Sequence, residues 1–355
     1  MTTEKAASAR PPHDLDRLAA ECLGETFPRL SPLAGGLSPR QFFSVERPSG
    51  QPAIVMWLPE DAPERALARR LGRQLPFLEI RELLENARVR VPRLFGALPE
   101  QGVLVVEDLG ETLDERLRRV PAERDTLYRR AVRELAAAQL ALAELSEGSI
   151  VRTRSLDREL LTWELEHFRE WGVEALGVEL SDAERSAFAR ASGHLVETIC
   201  GLQQGFVHRD YQSRNLLPQN DERIAWIDFQ DALLGPRAYD LVALLRDSYQ
   251  RFDEAFVAER LADFCDARGL SPEDGRQLRF EFDVITVQRK LKDAGRFVFF
   301  ERTRGDPSYL RFFVPSLQLA LAALSRLPSR PELNDLSALV RRQIEIGRSR
   351  GMLPP

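Results

Sequence analysis

The 355-residue chain has room for about two domains or one large two-lobed one. Its 43% hydrophobic and 30% charged residues are ordinary globular usage, which excludes disorder, collagen and a coiled-coil rod. A formal net charge of −5 with a pI near 5.7 removes the global basic footprint of a nucleic-acid binder, and Cys22, Cys200 and Cys265, scattered without CxxC spacing, fit neither a disulfide framework nor a zinc site. A reducing cytoplasm is therefore the expected compartment. No run approaches the ~18 apolar residues of a membrane span; the best candidate, Leu135 to Leu145, is broken by Gln139 and Glu144. Neither nucleic acid nor membrane is an expected partner.

In chain order, His13 to Gly24 reads as an amphipathic helix, with Leu15, Leu18, Ala19 and Cys22 at helical spacing. Gln41–Glu46 and Ala53–Leu58 flank Pro48-Ser49-Gly50 and read as a hairpin. The segment from Pro63 to Ala87 is helical, and Pro76 inside it is expected to kink or split it. Pro92–Leu98 and Val103–Glu107 form a second strand pair around Gln101-Gly102. Beyond Asp108-Leu109-Gly110 the pattern is helical almost throughout: Leu127 to Leu145, Leu156 to Glu174, and a run to Cys200 opened by the capping box Ser181-Asp-Ala-Glu184. One β-rich island, Gly205 to Phe229, interrupts it. Later helices are expected from about Tyr239, Asp253, Pro272 and Ser308, and a last one from Asn334 as its N-cap. The expected organisation is an N-terminal helical extension over 1–29, a small nucleotide-binding lobe over 30–107 and a helical lobe with the catalytic loop and substrate site over 108–355. A small-molecule site belongs in the cleft of such a pair.

The β-rich island carries the chemistry. His208-Arg-Asp210-Tyr-Gln-Ser-Arg-Asn215 matches the catalytic-loop pattern H-R-D-x-x-x-x-N of the kinase fold, and thirteen positions later an apolar strand ends in Asp228-Phe229. Phosphoryl transfer needs a carboxylate to accept the incoming hydroxyl's proton, here Asp210, and oxygen ligands for Mg²⁺ against the phosphates of ATP, here Asn215 and Asp228. His208 reads as a structural residue of the loop. Gly235-Pro-Arg-Ala-Tyr-Asp240 follows within a dozen residues, leaving no room for a protein kinase's activation segment, so the acceptor is expected to be a small molecule. Asp240 reads as a first-turn carboxylate favoured by the helix dipole, as a tie between that helix and the catalytic loop, or as both.

These runs, with Val287-Gln-Arg-Lys-Leu-Lys-Asp-Ala-Gly295 further on, resemble the aminoglycoside phosphotransferase and choline kinase superfamily. Over about Leu30 to Leu327 the chain is most similar to the cell-wall-recycling anomeric kinases of N-acetylmuramate and N-acetylglucosamine. The resemblance implies an α+β, protein-kinase-like fold and ATP- and Mg²⁺-dependent phosphorylation of an amino sugar at C1. Other small-molecule kinases of this fold, and a nucleotide-binding pseudokinase, are the alternatives. Two residues depart from the pattern: Gln212 replaces a second histidine of the loop, and Trp57 replaces an aspartate after Val55-Met56.

On the ATP side, Gly36 and Ser38 in Gly35-Gly36-Leu-Ser38-Pro-Arg40 resemble a short phosphate-facing loop, and Glu107, Asp108 and Leu109 the hinge that receives adenine. The usual strand lysine is absent, so Arg40 is the candidate phosphate-facing charge, with Glu79 or Glu82 as its helix carboxylate. On the acceptor side the candidates are Tyr211, Gln212, Arg214, Gln230 and Asp231, together with Gln288, Arg289 and Lys292. Gln288 and Lys292 share a helix face by their i, i+4 spacing. Of the 50 basic residues only Lys5, Lys290 and Lys292 are lysines, so two of the three lie in this one run.

Overall fold

The hairpin read from the sequence is the middle of an antiparallel sheet in the computed structural model, which describes residues 11–25, 30–33, 39–47 and 50–354. Its strands are β1 (Leu30–Pro32), β2 (Gln41–Val45), β3 (Ala53–Trp57), β4 (Leu94–Leu98) and β5 (Val103–Glu107), in the order β1-β2-β3-β5-β4. Strand β3 is central, pairing Val55 with Phe43 on one side and Val105 on the other. Its Ala53, Val55, Met56 and Trp57 are all buried, as a strand covered on both faces requires. Trp57, where the resemblance calls for an aspartate, is thus part of the packed sheet.

Helix α1 (Leu15–Leu23) lies against this sheet through Leu15, Leu18 and Ala19, next to Val55, Val103 and Val105. Gly96 in β4 makes the approach possible: a Cβ there would overlap the Cys22 carbonyl. Pro76 splits the helical segment after β3 outright. Helix α2 (Pro63–Leu71) ends in Gly72 with φ of 61°, and α3 (Pro76–Asn86) begins afresh with that proline in its first turn.

Among the described residues, one compact unit runs to Leu127 and takes in Arg214–Asp231; the other comprises Tyr128–Ser213 and everything from Ala232 onward. The first unit adds α4 (Leu113–Arg119) and a two-stranded ribbon of β7 (Leu216–Pro218) and β8 (Ile224–Trp226). Helix α5 (Arg124–Ala141) leads into the second unit, which is built from α6 (Arg158–His167), α7 (Asp182–Cys200), α8 (Ala238–Leu245), α9 (Glu254–Arg268), α10 (Pro272–Arg304), α11 (Phe313–Leu324) and α12 (Pro331–Ser349). One short ribbon, β6 (Gln204–Val207) with β9 (Leu233–Pro236), is set among these helices. The capping box at Ser181 opens α7 as expected. The last helix, however, starts before Asn334: Pro331 occupies its first turn and Asn334 already donates its N–H to the Arg330 carbonyl at 3.0 Å. The fixed φ of proline outweighs the cap preference of an asparagine one turn later.

Helix α10 is the longest element, at 33 residues. It is buried along much of its length, and among its buried residues are Glu281, Asp283, Gln288, Arg289 and Lys290. Charges inside a helical unit must find partners there, and the partners they find define half of the candidate site.

Candidate active site

In the first unit the β7–β8 ribbon sets Asn215 and Asp228. The Ile227 N–H donates to the Asn215 carbonyl at 3.0 Å, so the residue before Asp228 is tied to the motif asparagine. Asp228 itself has φ of 63°, a conformation uncommon for a residue with a Cβ. Behind it, Phe229 stacks on Phe77 of α3, with ring centroids 5.0 Å apart. The Asp228 side chain is 36% exposed. Its Oδ1 accepts from Arg40 Nη2 at 2.8 Å and from Gln230 Nε2 at 2.9 Å, while its Oδ2 has no partner among the described residues.

Arg40 is a buried bridge. Its Nε lies 3.2 Å from Glu64 Oε1 of α2, and both side chains are less than a tenth exposed. The helix carboxylate that pairs with the candidate cation is therefore Glu64. Glu79 pairs with Arg73 instead, and Glu82 is exposed. In sequence Glu64 gives no sign of this role, because a glutamate in a helix's first turn reads as a dipole partner. Gly36 and Ser38 lie outside the described residues.

The expected hinge is ordered by its own side chains. Glu107 takes Arg90 Nη2 at 2.7 Å and the Arg93 N–H at 3.1 Å, and Asp108 Oδ1 takes the Gly110 N–H at 2.9 Å. The Leu109 carbonyl accepts from Gln219 Nε2 at 3.1 Å, whereas the Leu109 N–H has no acceptor among the described residues. Arg214 faces Asp114, 3.3 Å from a carboxylate that is almost fully buried. Gln230 is buried and committed to Asp228; its neighbour Asp231 is half-buried.

In the second unit the other end of the motif is clamped. Both oxygens of Asp240 accept backbone N–H groups, His208 at 2.7 Å and Arg209 at 3.0 Å. Asp247 repeats this seven residues further along the chain, just past the end of α8, accepting the Ser213 N–H at 3.0 Å and its Oγ–H at 2.5 Å. Between the two clamps Tyr211 is fully buried and donates its hydroxyl to the Ala131 carbonyl at 2.9 Å, so it braces the loop from inside. His208 is also fully buried, its ring edge-on to Tyr211 at 5.7 Å. Arg209 has φ of 80°, a costly conformation held in place by the surrounding bonds.

Asp210 emerges from this braced loop with a side chain 39% exposed. Arg289 of α10 reaches it, donating Nη1 to the Arg209 carbonyl at 3.0 Å and placing Nη2 3.4 Å from Asp210 Oδ1. Burial raises the Asp210 carboxyl, but Arg289, Lys292 and Arg209 outweigh it and hold the group below its ordinary value. It is a carboxylate at neutral pH. Burial pushes Asp240 up to about 7, against the two backbone bonds that favour its charged form. Gln288 is fully buried and donates to Glu164 of α6 at 2.6 Å, and Lys292 lies 3.9 Å from the same carboxylate, so the two residues do share a face. Gln212 is half-buried, its N–H bonded to the Asp210 carbonyl at 2.9 Å.

Glu164 was readable in principle: it is an acid on a helix face shared with the buried Leu161, Leu165 and Phe168. That helix loosens after His167 into a π-helical turn, Phe168–Val173, against which α10 packs closely. Gly295 of the late motif explains the approach, since a Cβ there would stand 2.8 Å from the Phe168 Cα.

A model described as the phosphotransferase enzyme family matches residues 29–280. A protein of Neisseria meningitidis named N-acetylmuramate/N-acetylglucosamine kinase is 30% identical, covering 85% of this chain and 86% of its own. One of the same name from Pseudomonas aeruginosa is 31% identical over 90% of this chain and 91% of its own. Among solved structures, the ADP-bound aminoglycoside phosphotransferase APH(2'')-Ib aligns with a TM-score of 0.56 at 14% identity, covering 94% of this chain and 99% of that one. The choline kinase LicA of Streptococcus pneumoniae aligns with a TM-score of 0.56 at 16% identity, covering 88% and 99%. At such identities the likeness establishes the fold, which is the α+β, kinase-like one expected.

Proposed function

The chain belongs to the phosphotransferase enzyme family and is a kinase with an alcohol acceptor, and on that premise we propose that it transfers the γ-phosphoryl group of ATP to the C1 hydroxyl of N-acetylmuramate or N-acetylglucosamine. The observation that carries this reading is Asp210, kept anionic by Arg289 and Lys292 on a side chain that is 39% exposed. The sugar rests on the names of relatives that match over most of their length.

Asp210 accepts a hydrogen bond from the incoming hydroxyl and takes its proton as the bond to phosphorus forms. A carboxyl held below its ordinary value is a weak base, and two features make a weak base sufficient. The transition state of phosphoryl transfer is loose, so the nucleophile needs little activation. A hemiacetal C1 hydroxyl is also more acidic than an ordinary alcohol. Arg289 keeps the base charged and aimed, and the Asp240 and Asp247 clamps stop the loop from relaxing around it.

The donor set of Asp228 and Asn215 fits Mg²⁺, which takes one or two protein oxygens and completes its shell with water and phosphate. Oδ2 of Asp228, without a partner among the described residues, and the Asn215 side chain would hold it, and when bound it would neutralise charge developing on the phosphates. Arg40, held by Glu64, fixes the other oxygen of Asp228 in place of the missing strand lysine. The N–H of Leu109, without an acceptor among the described residues, suits the acceptor edge of adenine. The test is ADP release by the purified protein with ATP, Mg²⁺ and a panel of N-acetylmuramate, N-acetylglucosamine, kanamycin and choline. Turnover with the amino sugars is expected. Turnover with kanamycin or choline and none with the sugars would overturn the reading.

A further inference from the structure

Resting on the sugar-kinase reading above, we propose that Arg296 is the receptor for a carboxylate on the acceptor sugar, and so sets the preference for N-acetylmuramate over N-acetylglucosamine. The two sugars differ by a lactyl ether, which adds one carboxylate and one methyl group. A binding preference between them must come from a group that meets this addition.

Arg289, Lys292 and Arg296 follow at i, i+3 and i+7 along one face of α10. The first two are occupied: Arg289 by the Arg209 carbonyl and Asp210, and Lys292 by Glu164 and Asp293. Arg296, one turn beyond, is solvent-exposed and makes neither an ion pair nor a hydrogen bond among the described residues. Its guanidinium lies over the Phe300 ring, 5.2 Å from the centroid, and Arg304 lies over the same ring at 5.1 Å. That contact holds the planar group without using its N–H donors.

The electrostatics agree. Although Arg296 is exposed to solvent, partial desolvation by its neighbours, then Arg304 and Arg209, hold its group below its ordinary value, while Glu164 and Asp210 pull the other way. Arg296 is therefore within reach of the Asp210 field and yet in a surplus of positive charge, a place where an added anion is stabilised. Next to it on the helix, Phe299 meets His167 at 5.3 Å and Trp171 at 5.0 Å, an aromatic surface against which a methyl group can pack. Guanidinium binds carboxylate through two parallel N–H bonds, which is stronger and more directional than an ammonium contact.

The experiment measures kcat/KM for N-acetylmuramate, its uncharged methyl ester and N-acetylglucosamine in the wild type, Arg296→Gln and Arg296→Lys. Arg296→Gln is expected to lower the N-acetylmuramate to N-acetylglucosamine ratio by about tenfold to a hundredfold, mostly through KM. It should also erase the wild type's preference for the acid over its ester, and Arg296→Lys should fall between. A ratio that stays within about twofold of wild type, or a variant that still distinguishes acid from ester, overturns the assignment. A wild type that phosphorylates neither sugar while using another acceptor overturns the sugar reading itself, and this proposal with it.

Discussion

Asp228 stands beyond the end of a three-residue strand, with one oxygen held by two side chains and the other without a partner among the described residues. Asp210 stands on a loop whose backbone is clamped at both ends by buried carboxylates and whose charge is set by a long helix. The division of the chain into compact units separates them, since it falls between Ser213 and Arg214, within the motif itself. The difference follows the chemistry expected of each. A metal ligand must exchange partners every turnover, so a side-chain latch such as Arg40 suffices. A proton acceptor must stay at one distance from the reacting hydroxyl, where small displacements cost large factors in rate. Its scaffold is accordingly buried.

The largest effect should come from removing the rigid member. Asp210→Ala is expected to lower kcat by roughly 10²–10⁴-fold with ATP affinity near wild type, as read by single-turnover phosphorylation and nucleotide titration. Asp228→Asn should act on nucleotide binding as well as on turnover. It removes a charged oxygen ligand, so Mg²⁺-dependent ATP binding should weaken about tenfold or more. Titrations at several Mg²⁺ concentrations that superimpose on wild type would erase the distinction between the two carboxylates.

The clamp offers a finer probe. Asp247→Ala strips the partner from the buried Ser213 N–H, which should cost about 1–3 kcal/mol of stability. It should also lower kcat about tenfold without changing ATP affinity, because it loosens the loop rather than the metal side. Thermal melts and steady-state kinetics on one preparation separate the two terms.

The smallest effect concerns the α6–α10 contact beneath the acceptor helix. Burial first, and then the charge of Arg296, lower His167 from 6.5 to about 4, with Glu164 opposing and Lys292 adding to the shift. Between those values the unfolded chain binds a proton that the folded chain does not, so stability should rise with pH across that window and level off above it. The slope is at most about 1.4 kcal/mol per pH unit. Denaturant melts of wild type and His167→Phe at pH 5.5 and 7.5 check it: the variant should lose this component of the slope.

Much of this was legible in the sequence where local rules suffice. The hairpin, the break at Pro76, the capping box at Ser181 and the motif spacing from His208 to Asp228 all depend on near neighbours in the chain. The long-range partners were not. Nothing near Arg40 in sequence points to Glu64 rather than Glu79, because the choice depends on how α2 and α3 rotate once Pro76 has separated them. Gln288 and Lys292 were correctly placed on one face, but their shared partner Glu164 lies 124 residues before Gln288. The start of α12 is ambiguous in sequence because two helix-start signals, Pro331 and Asn334, compete within one turn.

Which hydroxyl Asp210 serves can be read by blocking C1. With ATP and Mg²⁺, free N-acetylglucosamine should be consumed with loss of its reducing end and formation of a 1-phosphate, while its methyl glycoside should be inert. Phosphorylation of the methyl glycoside at the rate of the free sugar would contradict the assignment of C1 as the site of transfer.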